Sequence, residues 1–279
     1  MSFVKEIFRA PGIIEIKRFH SWNFGRSFRR NKNINITPES MQKANERRSR
    51  EKLYRLIATN FKRDDVRLDL TYAGEEPDGE TAIKRLKAFI RKLRALYKTH
   101  NQELKYIYTT EHRGHRIHHH LLINSIGLSR DEINSCWKYS LFGYRAMRFY
   151  DGAPSDARAL AEYFTKETSK TMKDEDSIQR VRYVASKNLK TPDVTKVKIY
   201  TRSWKERPYV RKGYQIVDLE NGFTNDGYPF QRYTMVKIGV IPIGSEKFEH
   251  RDKSHSKSKG AKVRKDIKKG TTRNRHALH

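Results

Sequence analysis

Cysteine is nearly absent: Cys136 is alone in a chain of 279 residues. That excludes an internal disulfide and any thiolate cage for zinc, and leaves Cys136 to a packing role. Long apolar runs are missing too. From Met1 to Phe19 the chain is interrupted by Lys5, Glu6, Arg9, Glu15, Lys17 and Arg18, so no stretch has signal-peptide length. Nothing approaches a membrane span, so no membrane partner is expected. No Gly-rich phosphate loop ending in Lys-Ser/Thr occurs, which argues against a fused ATPase or helicase, and there is no internal repeat. The expectation is a protein of a reducing cytoplasm.

Acidic residues are scarce beside basic ones: 32 Asp+Glu against 60 Lys+Arg, a formal charge of +28. Hydrophobic residues make up 36% and charged residues 33%, which fits a modest core under a heavily charged surface. The positive excess favours a polyanionic partner, because neutralising phosphates releases their counterions.

Along the chain, four segments differ in character. Residues 1–36 open with a strand at Ile13–Phe19 and then turn basic and aromatic, with His20, Trp22, Phe24, Arg26, Phe28, Arg29 and Arg30. Residues 37–200 form the main domain. There Thr37 reads as an N-cap with Pro38 at the first helical position. Val66, Leu68, Leu70 and Tyr72 alternate with polar residues as a strand. A helix after Pro77-Asp78-Gly79 shows the apolar stripe Ala82, Ile83, Leu86, Phe89, Ile90, Leu93, Leu96 and Tyr97.

A hairpin follows, with arms Leu104–Glu111 and Arg116–Asn124 about a turn at residues 112–115. Ser129 and Glu132 form a capping-box pattern for a third helix reaching Tyr139, and a fourth helix spans Ser155–Ser169. Residues 201–244 read as a β extension, with strands at Tyr214–Leu219 and Phe230–Ile238. Residues 245–279 hold 12 Lys+Arg and 4 Asp+Glu, almost without apolar periodicity, and read as a disordered basic arm. The hairpin requires antiparallel pairing, and the economical architecture is an α+β sandwich of an antiparallel sheet covered by helices.

The densest chemistry lies in Glu111-His112-Arg113-Gly114-His115-Arg116-Ile117-His118-His119-His120. On a strand, His118 and His120 share a face and His119 takes the other. With a four-residue turn Glu111 pairs with Arg116 and falls on the face of His118 and His120; a three- or five-residue turn would reverse it. Two imidazoles and a carboxylate without thiolate suit Mn²⁺ or Mg²⁺ acting on a phosphate, while spacing alone leaves zinc open. The competing reading is a solvated histidine cluster, and His112, His115 and His119 belong with it.

The fourth helix carries Ala157, Leu160, Ala161 and Phe164 as a sheet-facing stripe, with Tyr163 and Lys166 neighbouring each other on an adjoining face. A free tyrosine, with a pKa near 10, is a poor nucleophile at neutral pH, and a nearby ammonium or metal favours its phenolate. In a chain with 15 tyrosines, Tyr-x-x-Lys alone is weak evidence. An amphipathic tyrosine beside a core stripe is the plain alternative, and the position after the histidine hairpin gives the motif its interest.

Taken in order, Leu68-Asp69-Leu70-Thr71-Tyr72, His118-His119-His120 and Tyr163-Phe164-Thr165-Lys166 resemble the three motifs of HUH endonucleases. Within these the chain is most similar to replication-associated (Rep) proteins of the filamentous-phage gene II type and related phage or integrated-element initiators of rolling-circle replication. The segment Ser186-Lys187-Asn188-Leu189-Lys190-Thr191-Pro192 adds to the resemblance, which covers about residues 40–200. It implies a ferredoxin-like antiparallel sheet with the histidine strand central, and a metal-dependent nickase forming a 5′-phosphotyrosine. His118, His120 and Glu111 would be ligands, Tyr163 the nucleophile and Lys166 its helper. Arg113, His115, Arg116, Lys187 and Lys190 are candidate DNA contacts.

Two departures stand out. The residue between the metal histidines is usually hydrophobic, and here it is His119. Some relatives carry paired tyrosines, and this helix has Tyr163 alone. Finishing a round then needs the second subunit of a homodimer, or a water activated by Glu162 or Glu167. The implied partners are single-stranded and origin DNA, with a helicase and polymerase borrowed from a bacterial host. A relaxase or single-strand transposase using the same chemistry, and a non-catalytic nucleic-acid binder, are the alternatives.

Overall fold

The computed structural model describes residues 2–22, 24–25, 38–113, 116–140, 147–171, 178–201 and 203–240, with 38, 113, 147 and 167–171 described by backbone alone. In chain order the elements are β1 (Ser2–Ala10), β2 (Ile13–Ser21), α1 (Pro38–Asn60), β3 (Val66–Leu70), α2 (Gly79–Thr99), β4 (Tyr106–Arg113) and β5 (Arg116–Ile123). They continue with α3 (Arg130–Ser135), β6 (Met147–Phe149), α4 (Pro154–Thr171), β7 (Val184–Ala185), β8 (Asp193–Ile199), β9 (Tyr214–Phe223) and β10 (Pro229–Lys237). Thr37, Arg26, Phe28, Arg29, Arg30, His115 and the arm 245–279 lie outside the described residues.

The first sheet is antiparallel in the order β6-β3-β5-β4-β7, so the histidine strand β5 is central. Alternation along β3 and β5 sends Leu68, Leu70, His119, Leu121 and Ile123 to one face, where α2 packs with Leu86, Phe89, Leu93 and Tyr97. Asp78 starts α2 by accepting a hydrogen bond from the Thr81 N–H at 2.9 Å. Trp137 and Cys136 close the same core. The third helix ends at Ser135, before the predicted Tyr139, with Cys136 as its C-cap.

The opposite face meets α1 and α4. Ile107 and Leu122 pack there with Leu53, Tyr54 and Ile57 of α1 and with Ala157, Leu160, Ala161 and Phe164 of α4. The predicted stripe of the fourth helix is thus its buried face. Beyond these helices lies a second antiparallel sheet, in the order β8-β1-β2-β10-β9, whose Phe8, Ile13 and Val236 close the same core from the far side. The layers therefore run α2, first sheet, α1 with α4, second sheet.

β1, β6, β7 and β8 are strands beyond those expected from the sequence. β1 and β2 join through Pro11-Gly12, with Gly12 at φ 73°; proline then glycine at the two central positions is the residue choice of a type II turn. Residues 2–21, 193–199 and 214–237 share the second sheet, so segments drawn apart in sequence form one layer. The described residues all fall within one compact unit, Met1–Glu246. Among them no helix is long and apolar enough to cross a membrane.

Candidate active site

Register fixes the parity on which the metal reading depended. β4 ends at Arg113 and β5 begins at Arg116, so two residues join them rather than four, and Glu111 lies opposite His118 instead of Arg116. Because two and four are both even, Glu111 stays on the face of His118 and His120. The pairing moves by one step and the shared face is kept.

β3 completes the face, with Asp69 opposite His120 and Arg67 opposite Leu122; Arg148 of β6 lies opposite Arg67. Asp69 Oδ1 is 2.6 Å from His120 Nδ1, and Glu111 Oε2 is 3.3 Å from His120 Nε2. Burial works against charge on His120, yet its hydrogen bonds to Asp69 and Glu111 push its pKa up to about 9. His118 stands parallel to it, ring centroids 6.4 Å apart, and burial and the neighbouring His120 lower its pKa.

From the helix side α4 brings Tyr163 onto this face. Its hydroxyl lies 3.2 Å from His120 Nε2 and 3.3 Å from Nδ1, with the rings edge to face at 4.9 Å. The Arg67 guanidinium stands 5.9 Å from the centre of the Tyr163 ring. Burial holds the phenol's pKa well above its ordinary value, Asp69 and Glu111 raise it further, and Arg67 and Arg148 pull the other way.

The donor chemistry fits a divalent cation. Glu111 is 5% exposed, and its Oε1 is a buried oxygen without a hydrogen-bond partner among the described residues; an ionised carboxylate offers acceptors only and asks for a cation or donor there. With Asp69 on Nδ1, His120 is oriented to offer Nε2 toward Glu111, the arrangement in which a carboxylate steadies a metal-bound imidazole. Among the described residues no three His, Cys, Asp or Glu side chains are gathered into a finished cage.

His119 faces the α2 core, where it is fully buried. Tyr72 Oη lies 2.8 Å from its Nε2 and Thr110 Oγ1 lies 2.9 Å from its Nδ1. Burial, with His120 and His118 nearby, takes its pKa down to about 3. A neutral imidazole donating at one nitrogen and accepting at the other suits two hydroxyls, so a polar residue takes a core position without shifting the strand.

The other expected site residues are spread more widely. Lys166 is exposed while Tyr163 is half-buried, so Lys166 stands at the solvent edge of α4. Arg116 is exposed, one step nearer the turn than His118 on the same face. Position 113 lies opposite it; the Arg113 and Glu167 side chains are outside the described residues. Glu162 is directed toward Arg50 of α1 at 3.7 Å.

Lys187 and Lys190 belong to a different region. Asn188 contacts Glu103 and Leu104, and Ser186 contacts Tyr106, all at the end of β4 remote from Glu111. Asn60 at the end of α1 holds the Lys190 backbone, accepting from its N–H at 2.7 Å and donating to its carbonyl at 2.9 Å. Asp69, Arg67 and Arg148 stand on this face without being among the expected site residues. The alternation of β3 is the signal for Arg67 and Asp69, its polar positions; Arg148, on the three-residue β6, has none.

No curated protein and no solved structure matches the chain. Residues 65–172, from the edge of β3 to the end of α4, match the family model of replication-associated proteins of the ORF2 and gene II protein type. The segment that carries the histidine strand and the tyrosine helix is therefore similar to replication-associated proteins.

Proposed function

We propose that this protein initiates rolling-circle replication by nicking and rejoining one DNA strand through Tyr163. The observation that carries the reading is the Tyr163 hydroxyl, 3.2 Å from His120, on a sheet face where His120 also meets Glu111 and Asp69. The likeness of residues 65–172 to replication-associated proteins supports the biological setting, and the charge of +28 suits a nucleic-acid substrate.

In this reading Tyr163 Oη attacks the scissile phosphorus, the bond to the 3′ oxygen breaks, and a 5′-phosphotyrosine forms while the strand leaves as a free 3′-hydroxyl. The phenolic proton is lost before or during attack, and the departing 3′ oxygen takes up a proton. Reversal with a new 3′-hydroxyl rejoins the strand. His120, Glu111 and His118 would hold a divalent ion, Mn²⁺ or Mg²⁺, which would supply Lewis-acid polarisation of the phosphate. Asp69 orients His120. Arg67 and Arg148 place positive charge beside the phenol, where a phosphate oxygen would sit. Burial first, and the charges of Asp69 and Glu111 after it, hold Tyr163 protonated; a bound cation would offset the second contribution.

The test is relaxation and nicking of supercoiled plasmids carrying candidate origins, with Mn²⁺, Mg²⁺ or chelator. Nicking that needs the ion and falls by about 10²-fold or more in Glu111→Gln and His120→Ala, the scale at which one electrostatic group acts in catalysis, supports the reading. Undiminished nicking in both variants refutes the ligand assignment, and failure to nick any origin removes the enzymatic reading.

A further inference from the structure

The outer face of the second sheet carries a pattern that the nicking site does not use. One row across the strands reads Val197, Lys5, Arg18, Gln231 and Asn221. Lys5 and Arg18 sit directly opposite each other, and the row contains no carboxylate. Like charges in this position repel; the Lys5 pKa is lowered first by burial and then by Arg18 and Arg9. Arg9, further along β1 on the same face, has its own partner in Asp193 at 3.7 Å.

The adjacent step along β1 and β2 is aromatic. Phe3 lies opposite His20, their rings 5.5 Å apart. His20 stacks on Tyr228 at 3.8 Å with 13° between planes, and Trp22 stands edge-on to both, at 4.8 Å and 5.7 Å. Trp204 leans on Phe3 from the segment that follows β8. Trp22 keeps 51% of its surface exposed. Buried cores use such edge-to-face packing to remove rings from water; here Trp22 stays wet, and further along the same face Lys5 and Arg18 have no carboxylate partner among the described residues, Arg18 donating to Gln231 Oε1 at 2.8 Å.

From this juxtaposition we infer a second single-stranded DNA site, on the outer face of the β1-β2-β10 sheet, separate from the Tyr163 face. Unpaired bases stack on Trp22 and Tyr228, and the backbone phosphates neutralise Lys5 and Arg18. The exposed Trp22 and the half-buried Tyr228, whose one face is taken by His20, on the same sheet face as a cationic row fit a single strand, which offers free base faces and regular charge, better than a duplex, whose bases are already stacked. The two sheets lie on opposite sides of α1 and α4, so one molecule would hold a strand at a point removed from the tyrosine.

The experiment measures full-length protein binding to a fluorescent oligo-dT and to a duplex of equal length, by anisotropy across a salt series. Every protein carries Tyr163→Phe, so covalent capture does not enter. Trp22→Ala with Tyr228→Ala is expected to weaken oligo-dT binding by about tenfold or more, the scale of losing a stacked base, while Trp22→Phe stays near the parent. Lys5→Gln with Arg18→Gln is expected to flatten the slope of log K against log salt by about 1.4, the value for two phosphate contacts on a single strand. A melting curve matched to the parent excludes misfolding as the cause.

Oligo-dT affinity within twofold of the parent for both double variants overturns the site. So does an equal loss on duplex and single strand. Ultraviolet crosslinking of iodouridine-substituted oligonucleotide, mapped by peptide mass, must find Trp22 or Tyr228; crosslinks confined to the Tyr163 face contradict the inference. None of these results depends on whether the protein nicks DNA.

Discussion

At the residue scale, the division of labour between three consecutive histidines follows from alternation alone. His118 and His120 share a face with Glu111, and His119 belongs to the α2 core. Those faces follow from the sequence because a strand has period two. That Tyr72 and Thr110 satisfy His119 there does not, because those partners come from β4 and from the segment after β3. His119→Ala is expected to lower stability by about 2–4 kcal/mol, since the Thr110 hydroxyl loses its partner and the Tyr72 hydroxyl one of its two; urea unfolding measures it.

Asp69 was missed for a related reason. Its role depends on which strand lies beside β5, and that is a tertiary fact. As the carboxylate on His120 Nδ1, it should affect the ion more than the fold. Asp69→Asn is expected to weaken Mn²⁺ binding by about 10- to 100-fold, read by the free-Mn²⁺ signal in electron paramagnetic resonance. Unchanged affinity would leave Asp69 with a structural role only.

At the element scale, long periodic segments were legible and short or irregular ones were not. The stripes of α2 and α4 and the arms of the histidine hairpin follow from apolar spacing. β6 and β7, with three and two residues, are too short to carry a period. β8 carries exposed lysines, and its pairing partner β1 is distant in sequence. β1 itself had a usable sign in Pro11-Gly12, a turn pair set between two strand-like runs.

The second sheet is fastened to the tyrosine helix by charge. Glu15, 1% exposed, is ion-paired with Arg158 of α4 and with Lys17, and Arg55 of α1 joins Glu6 and Glu51. Removing one member of a buried pair is strongly destabilising because the other charge stays behind. Glu15→Ala is therefore expected to cost about 3 kcal/mol. Desolvation opposes ionisation of Glu15, but Arg158 and Lys17 outweigh it, so its pKa lies below the ordinary 4.5. Burial likewise opposes ionisation of Glu6, and Arg55 and Lys196 outweigh it. For groups depressed in this way the stabilisation is present above the unfolded value and is lost as pH falls through the folded one. Acid titration of the melting temperature should show wild type losing stability below about pH 4.5 more steeply than Glu15→Ala.

At the scale of the whole molecule, the two proposals fall on separate layers. The first sheet and α4 assemble the candidate active site, and the second sheet presents aromatic and cationic rows on the far side. In the proposed reading the basic arm, residues 245–279, with a formal charge of +8, would add attraction to DNA that does not depend on sequence. Deleting it is expected to weaken DNA binding and flatten its salt dependence, while cleavage at saturating single-stranded DNA is retained; loss of cleavage there would give the arm a part in the chemistry. The positive excess was legible from composition, whereas its distribution over two sheets required the fold.

The most direct test of the central proposal is covalent capture. Wild type and Tyr163→Phe are incubated with Mn²⁺ and single-stranded circular or origin-bearing DNA, and protein–DNA adducts are resolved on a denaturing gel. An adduct that requires the metal and disappears in Tyr163→Phe is the expected result. An adduct that persists in Tyr163→Phe would place the nucleophile elsewhere, and no adduct on any candidate origin would contradict a covalent tyrosine mechanism.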